Sequence, residues 1–302
     1  MTSEIITADS AGTWQLGDLT VNRIGFGAMR LAQRGAAFDR DAVPSDRGRA
    51  LGVLRRAVEL GVNHIDTAAY YFSSLRSANE LIGRALAPYP DDLVISPTVG
   101  PGRDASGDWW WATPEQLRGQ VEENLRQLGR DHLDLVNLRI PRRETSGSVA
   151  EHFGALAELR EAGLIRNLGI SNARPDHLAQ ARAIAPVVCV QNPYGPGSPA
   201  EDHAFVDACG EQGIAFVPFF AIAGAGKEAG AAGAGDDGPV RRLAEARGVS
   251  RAQLRLAWTL HRGPHVLAIP GTGDPAHLAD NVAAGALRLT PEELRVLEGP
   301  AA

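Results

Sequence analysis

Eight short, nearly unbroken apolar runs, separated by stretches with helical periodicity, constrain this chain more than any other feature. They fall at residues 23–29, 63–69, 93–99, 133–139, 165–171, 187–193, 215–221 and 266–272. A strand with one face in water alternates apolar and polar residues, whereas one apolar throughout is covered on both sides. The intervening stretches supply the cover. In 114–129, Leu117, Val121, Leu125 and Leu128 share one helical face, and Glu115, Arg118, Glu122 and Arg126 lie away from it. Thr113 suits the N-cap of that helix and Pro114 its first turn. A second helix is expected over 148–162, stopping at Gly163. Alternating strands and helices with parallel crossovers allow an open doubly wound sheet or a closed barrel, and eight units favour the barrel. Residues 14–22 add a hairpin turning at Gly17-Asp18. The expected fold is therefore α/β, a (β/α)8 TIM barrel with an N-terminal β-hairpin, with residues 1–302 forming one domain.

Composition enters mainly through what it excludes. With 44% hydrophobic residues, the 302-residue chain can bury a full barrel core. A net charge of −6 argues against a nucleic-acid partner, because phosphate neutralisation needs a basic surface. No apolar run approaches the ~20 residues of a membrane span. The opening MTSEIITADS lacks the basic and apolar segments of a secretory signal. Cys189 and Cys209 are too few for a disulfide framework and read as small buried apolar side chains of a reduced, cytoplasmic protein. No metal site is read.

Two segments interrupt the pattern, 101–113 after the third strand and 222–238 after the seventh. Both belong at the C-terminal face, where barrel active sites are built. The first carries Trp109, Trp110 and Trp111 in what reads as a loop. Three consecutive tryptophans cannot all face one core, so this segment and Met29 are expected to line a substrate pocket suited to apolar or aromatic molecules.

The chemistry concentrates around the second strand. Asp66 stands at its end and Tyr71 just beyond. A tyrosine there can donate a proton to a developing alkoxide if its pKa is lowered from about 10. Alone, the pair reads equally well as a capping aspartate and a packing tyrosine. The surrounding text adds to it: Asp66-Thr67-Ala68 with Tyr71, then Asn79-Glu80 and Gly83; Gly25-Phe26-Gly27; Gly169-Ile170-Ser171-Asn172; Gln191-Asn192-Pro193-Tyr194; and Ile269-Pro270-Gly271-Thr272 followed by Asn281. Taken in chain order over residues 14 to 298, the motifs resemble the aldo-keto reductase family.

That resemblance implies an oxidoreductase acting on a small-molecule carbonyl or polyfunctional substrate, with NADPH as cofactor and NADH as the alternative. Asp66 and Tyr71 match the family's catalytic pair. Ser171, Asn172 and Gln191 match its carboxamide contacts, and Phe219 its nicotinamide-stacking aromatic. Ile222, Gly224 and Lys227 fall in the pyrophosphate loop, and Gly271, Thr272, His277 and Asn281 in the adenosine-phosphate segment. Two positions depart. Thr98 stands where the family has a lysine that lowers the tyrosine pKa, and Arg139 where it has a histidine. Arg139 is permanently charged and is expected either to pair with Asp66 or to stabilise substrate charge. Asp66, without a lysine partner, is expected to stay protonated or serve as a base. The departures keep alive a non-redox dehydratase, isomerase or cyclase using Tyr71 and Asp66, and a catalytically silent nucleotide binder.

Overall fold

The computed structural model describes residues 5–35, 38–39, 42–143, 147–219 and 238–298. Seven parallel strands lie in the order Ala215–Phe216, Cys189–Gln191, Ile165–Ser171, Leu133–Arg139, Val94–Val99, His64–Thr67 and Phe26–Gly27. The sheet curls into the (β/α)8 barrel. The eighth apolar run closes the ring without becoming a strand: Ile24 pairs with Ala268, and Phe216 with Val266, as single parallel bridges. Gly25 N–H donates to the Ala268 carbonyl at 2.8 Å, and Leu267 N–H to that of Phe216 at 2.9 Å. The expected strand over 266–272 is thus cut short. Pro270 brings no N–H to a ladder, and at the seam two backbones nearly touch. A Cβ on Gly27 would sit 2.6 Å from the Ile269 carbonyl oxygen, and one on Gly271 would run into the Gly27 carbonyl. Only glycine fits either place.

The hairpin forms as expected, with Thr13–Leu16 antiparallel to Leu19–Asn22 and Gly17 at φ 66°. It plugs the N-terminal end of the barrel. Leu16 and Val21 pack with Val94, Leu135, Cys189 and Leu267. A larger core, including Phe26, Ile65, Ile95, Val136 and Ile170, fills the space between sheet and helices. The helix at 117–128 buries Leu117, Val121, Leu125 and Leu128 and ends at Gly129, φ 67°. Its first turn, Pro114–Gln116, is a tighter 3-10 turn, and the Gln116 side chain accepts from the Thr113 backbone N–H at 2.9 Å. The second expected helix spans Ala150–Glu161.

The tryptophan segment is not a loop. Trp109–Trp111 forms a strand antiparallel to Pro101–Arg103. Its turn is held by Asp104, whose backbone N–H donates to the Asp108 carbonyl at 3.0 Å and whose carboxylate accepts from the Asp108 N–H at 2.9 Å. Gly107, φ 84°, completes the reversal. Tryptophan favours an extended chain, and this outweighs the Gly- and Asp-rich text around it.

Cys189 and Cys209 are free and buried. Among the described residues, no helix is long and apolar enough to cross a membrane, and no group of His, Cys, Asp and Glu is placed to hold a metal ion.

Candidate active site

Strand register carries the chemical residues to one end of the barrel. Gly27 lies beside Asp66, Thr98 beside Asn137, Arg139 beside Ser171, and Ser171 beside Gln191. All these strands run the same way, so their last residues ring the C-terminal mouth. There a cavity of about 350 Å³ is lined by Asp66, Tyr70, Tyr71, Thr98, Arg139, Gln191 and Phe219. Met29, Arg30, Phe38, Trp109, Trp111 and Gly271 are also in its wall.

Asp66 is 6% exposed and receives one side-chain hydrogen bond, from Gln191 Nε2 at 2.7 Å. Burial pushes its carboxyl up to about 7, against the opposing pull of the Gln191 hydrogen bond and the Arg139 charge. Asp66 thus has a hydrogen-bond donor and no ion-pair partner among the described residues. Gln191 also accepts from Thr98 Oγ1, at a long 3.5 Å, so this matched carboxamide contact is engaged within the site. Tyr71 is held well above the usual phenol range by burial, then by Tyr70 and Asp66, while Arg139 pulls it down. The Tyr70 and Tyr71 rings meet edge to face with centroids 5.0 Å apart.

Arg139 does not pair with Asp66. Among the described residues it has no carboxylate partner. Its guanidinium lies 4.7 Å from the Phe219 ring centroid, and Nη1 donates to Ser171 Oγ at 3.3 Å. Asn172, at φ 57°, gives its side-chain amide to the Ile140 carbonyl at 2.8 Å and stays out of the cavity lining.

The hairpin divides the tryptophans. Trp109 and Trp111 face the cavity, while Trp110 lies across Gly102 and lines a second cavity of about 480 Å³. Alternation along a strand requires this, and it removes Trp110 from the expected substrate pocket. Tyr70, Thr98 and Pro101 belong to both cavities.

Away from the cavity, the helix Pro275–Ala283 is capped by Asp274, whose carboxylate accepts from the Ala276 and His277 N–H groups. Arg49 pairs with that carboxylate and donates to the Gly273 carbonyl at 2.9 Å. Thr272 Oγ1 accepts from the Asp274 N–H at 3.0 Å. His277 is exposed and Asn281 buried. Ile222, Gly224 and Lys227 lie outside the described residues.

Sequence reasoning missed Tyr70, Phe38 and Arg49. Phe38, at φ 65°, packs edge-on to Trp109 with centroids 5.0 Å apart and lies 5.9 Å from Tyr71. No local pattern marks it. Tyr70 could have been found from its place directly beside Tyr71 after the strand, since both rings line the same cavity.

A parallel barrel with a carboxylate, a tyrosine and a cation converging at its C-terminal mouth has the layout of a barrel enzyme. The family model described as "Aldo/keto reductase family" matches residues 23–299. The chain is 41% identical over 295 residues to pyridoxine 4-dehydrogenase of Escherichia coli, covering 96% of this chain and 98% of that one. It is 30% identical over 303 residues to probable aldo-keto reductase 1 of Glycine max, covering 91% and 84%. Among solved structures, it is similar to an aldo-keto reductase from Klebsiella pneumoniae in complex with NADPH, with TM-score 0.75, 26% identity and coverage of 94% and 93%. The chain belongs to the aldo/keto reductase family and is an enzyme of that type.

Proposed function

We propose that this enzyme uses NADPH to reduce the carbonyl of a flat, aromatic small molecule to an alcohol, and runs the reverse oxidation. The observation that carries this reading is the convergence of Asp66, Tyr71, Arg139 and Phe219 on one aromatic-walled cavity. The Klebsiella relative's bound NADPH supports the cofactor, and the name of the E. coli relative supports a heteroaromatic alcohol–aldehyde pair. The residues fit the cofactor. Phe219 offers a planar face and the buried Ser171 a hydroxyl, while at the Pro275–Ala283 helix the N-terminal N–H groups and Arg49 are held by the Asp274 carboxylate, which a cofactor phosphate would have to displace. The cofactor supplies the hydride when bound. Tyr71 gives its phenolic proton to the carbonyl oxygen, and Asp66 and Gln191 fix the floor beneath it. Thr98 takes the family lysine's place and brings no charge, so Arg139 is the cation nearest the reaction. The 302 residues act as one barrel unit in a reducing, cytoplasmic setting that suits two free cysteines.

The test is NADPH consumption with aromatic aldehydes, pyridoxal included, against aliphatic aldehydes of equal size, with NADH as comparison. Faster turnover of the aromatic set is expected. Absence of NADPH binding would sink the reading. A second reading, dehydration or isomerisation without hydride transfer, is favoured by Asp66, a buried carboxyl poised near neutrality. It predicts NADPH binding without consumption, and reductase activity gained only in Thr98→Lys.

A further inference from the structure

The position of Arg139 is unexpected for a group meant to assist proton transfer. Its guanidinium lies on the face of Phe219 and holds Ser171 Oγ. These are the two side chains proposed to receive the nicotinamide ring and its carboxamide. A ring cannot stack on a face that a guanidinium already covers at 4.7 Å. Arg139 must leave before Phe219 and Ser171 can do their work.

Its alternative place is in the same cavity, one strand beyond the Thr98 strand. Asp66 is buried there with Gln191 as its side-chain hydrogen-bond donor and, among the described residues, no cationic partner. Asp66 in its ionised form and Arg139 therefore face one cavity, which Arg30 also lines, without an ion pair between them, and away from bulk water such an attraction is far stronger than in water. The path is open because Thr98, short and uncharged, forms the wall near Asp66. An arginine has the reach and the flexible stem to move across. Its hold at the resting position is weak, a single 3.3 Å hydrogen bond and one ring face.

We infer that Arg139 is a mobile cation, resting on Phe219 and Ser171 and moving to Asp66 and Tyr71 when a nicotinamide takes the Phe219 face. This rests on the proposed reading of the site as an NADP(H) site. In the resting position Arg139 competes with the ring and lowers its apparent affinity, as any occupied conformer does. In the second position it neutralises Asp66 and stabilises charge at the Tyr71 oxygen. Cofactor loading and proton donation are then coupled through one side chain, and the cation missing at Thr98 is supplied only to the loaded site.

The experiment measures binding of NADPH and of adenosine 2′,5′-bisphosphate, which lacks the nicotinamide, to the purified protein by calorimetry. The ratio of the two affinities isolates the ring's contribution from general damage to the fold. Arg139→Leu removes the competitor, so the ratio is expected to rise at least fivefold while turnover falls. A ratio unchanged or lowered overturns the inference, including the case in which both affinities weaken together. Asp66→Asn removes the destination, so the ratio falls at least threefold, and the double variant matches Arg139→Leu alone. If Asp66→Asn leaves the ratio unchanged, Asp66 is not the destination and the switch is refuted. If the natural protein binds neither probe, the proposed function itself fails.

Discussion

At the residue scale, the site is shaped by a charge that the sequence omits. Thr98 is buried and neutral, so Arg139 is the cation that pulls Asp66 and Tyr71 toward their ionised forms against burial, helped at Asp66 by the Gln191 hydrogen bond. For Asp66 this has a consequence for stability. Its carboxyl titrates at about 7 in the fold against an ordinary 3.8. A raised value means that folding favours the protonated form, so the contribution is complete below about pH 4 and is lost as pH rises through about 7. Asp66→Asn keeps the oxygen that accepts from Gln191 and never ionises. Its melting temperature should match that of the natural protein near pH 4 and exceed it by roughly 5 °C near pH 8, a few kcal/mol in a chain of this size. Parallel melting curves across that window would contradict the burial of an ionisable carboxyl. Tyr71→Phe should lower kcat about 100-fold or more with the fold intact, as loss of a general acid does. A kcat within tenfold would move the proton donor to Tyr70, whose ring packs edge-on to Tyr71 in the same cavity. Asp66, Tyr71, Arg139 and Phe219 were legible from motif text because each sits at a strand end, where position along the chain dictates position in space. Phe38 and the resting place of Arg139 were not, because both depend on contacts between segments far apart in sequence.

At the element scale, apolar runs marked the strands well where both neighbours are full strands, as at Leu133–Arg139 and Ile165–Ser171. They overstated those at the seam, where Pro270 and the close approach of Gly27 and Gly271 replace a regular ladder. The tryptophan hairpin was hidden for a different reason. Gly, Asp and Pro made 101–113 read as a loop, yet the pairing of Pro101 with Trp111 and Arg103 with Trp109 fixes a two-residue period. That period assigns distinct roles to adjacent tryptophans. Trp109 packs on Phe38 and Tyr70 beside the reacting groups, whereas Trp110 faces the helix at 117–128 across the second cavity. Trp109→Ala should raise KM for an aromatic aldehyde about tenfold, equivalent to ~1.4 kcal/mol. Trp110→Ala should leave KM within a factor of two. Equal effects in steady-state assays would mean that the hairpin acts as one rigid flap and that the facing of individual rings is irrelevant.

At the scale of the whole molecule, the barrel separates the end that holds it shut from the end that reacts. The seam between the first and eighth segments has only isolated bridges. Its N-terminal end is tied by Arg23, whose guanidinium donates to the carbonyls of Ala11, Val266, Leu260 and Gly263, the last at 2.6 Å. Leu260 belongs to the helix Arg251–His261, and Gly263 follows it, so the cation also satisfies carbonyls at a helix C-terminus, where positive charge is favoured. One side chain thus joins the N-terminal turn, the last barrel segment and the helix that precedes it. Arg23→Met would keep the apolar stem and leave four carbonyls short of a donor, which should cost about 3 kcal/mol or more. The cost should appear as a lower denaturant midpoint. Arg23 precedes its strand, while Asp66, Tyr71 and Arg139 stand at the ends of theirs, so the same variant should show KM and kcat close to those of the natural enzyme at a temperature where it remains folded. A loss of turnover matching the loss of stability would show that seam closure is transmitted along the barrel, through Gly27 and Gly271, to the catalytic mouth.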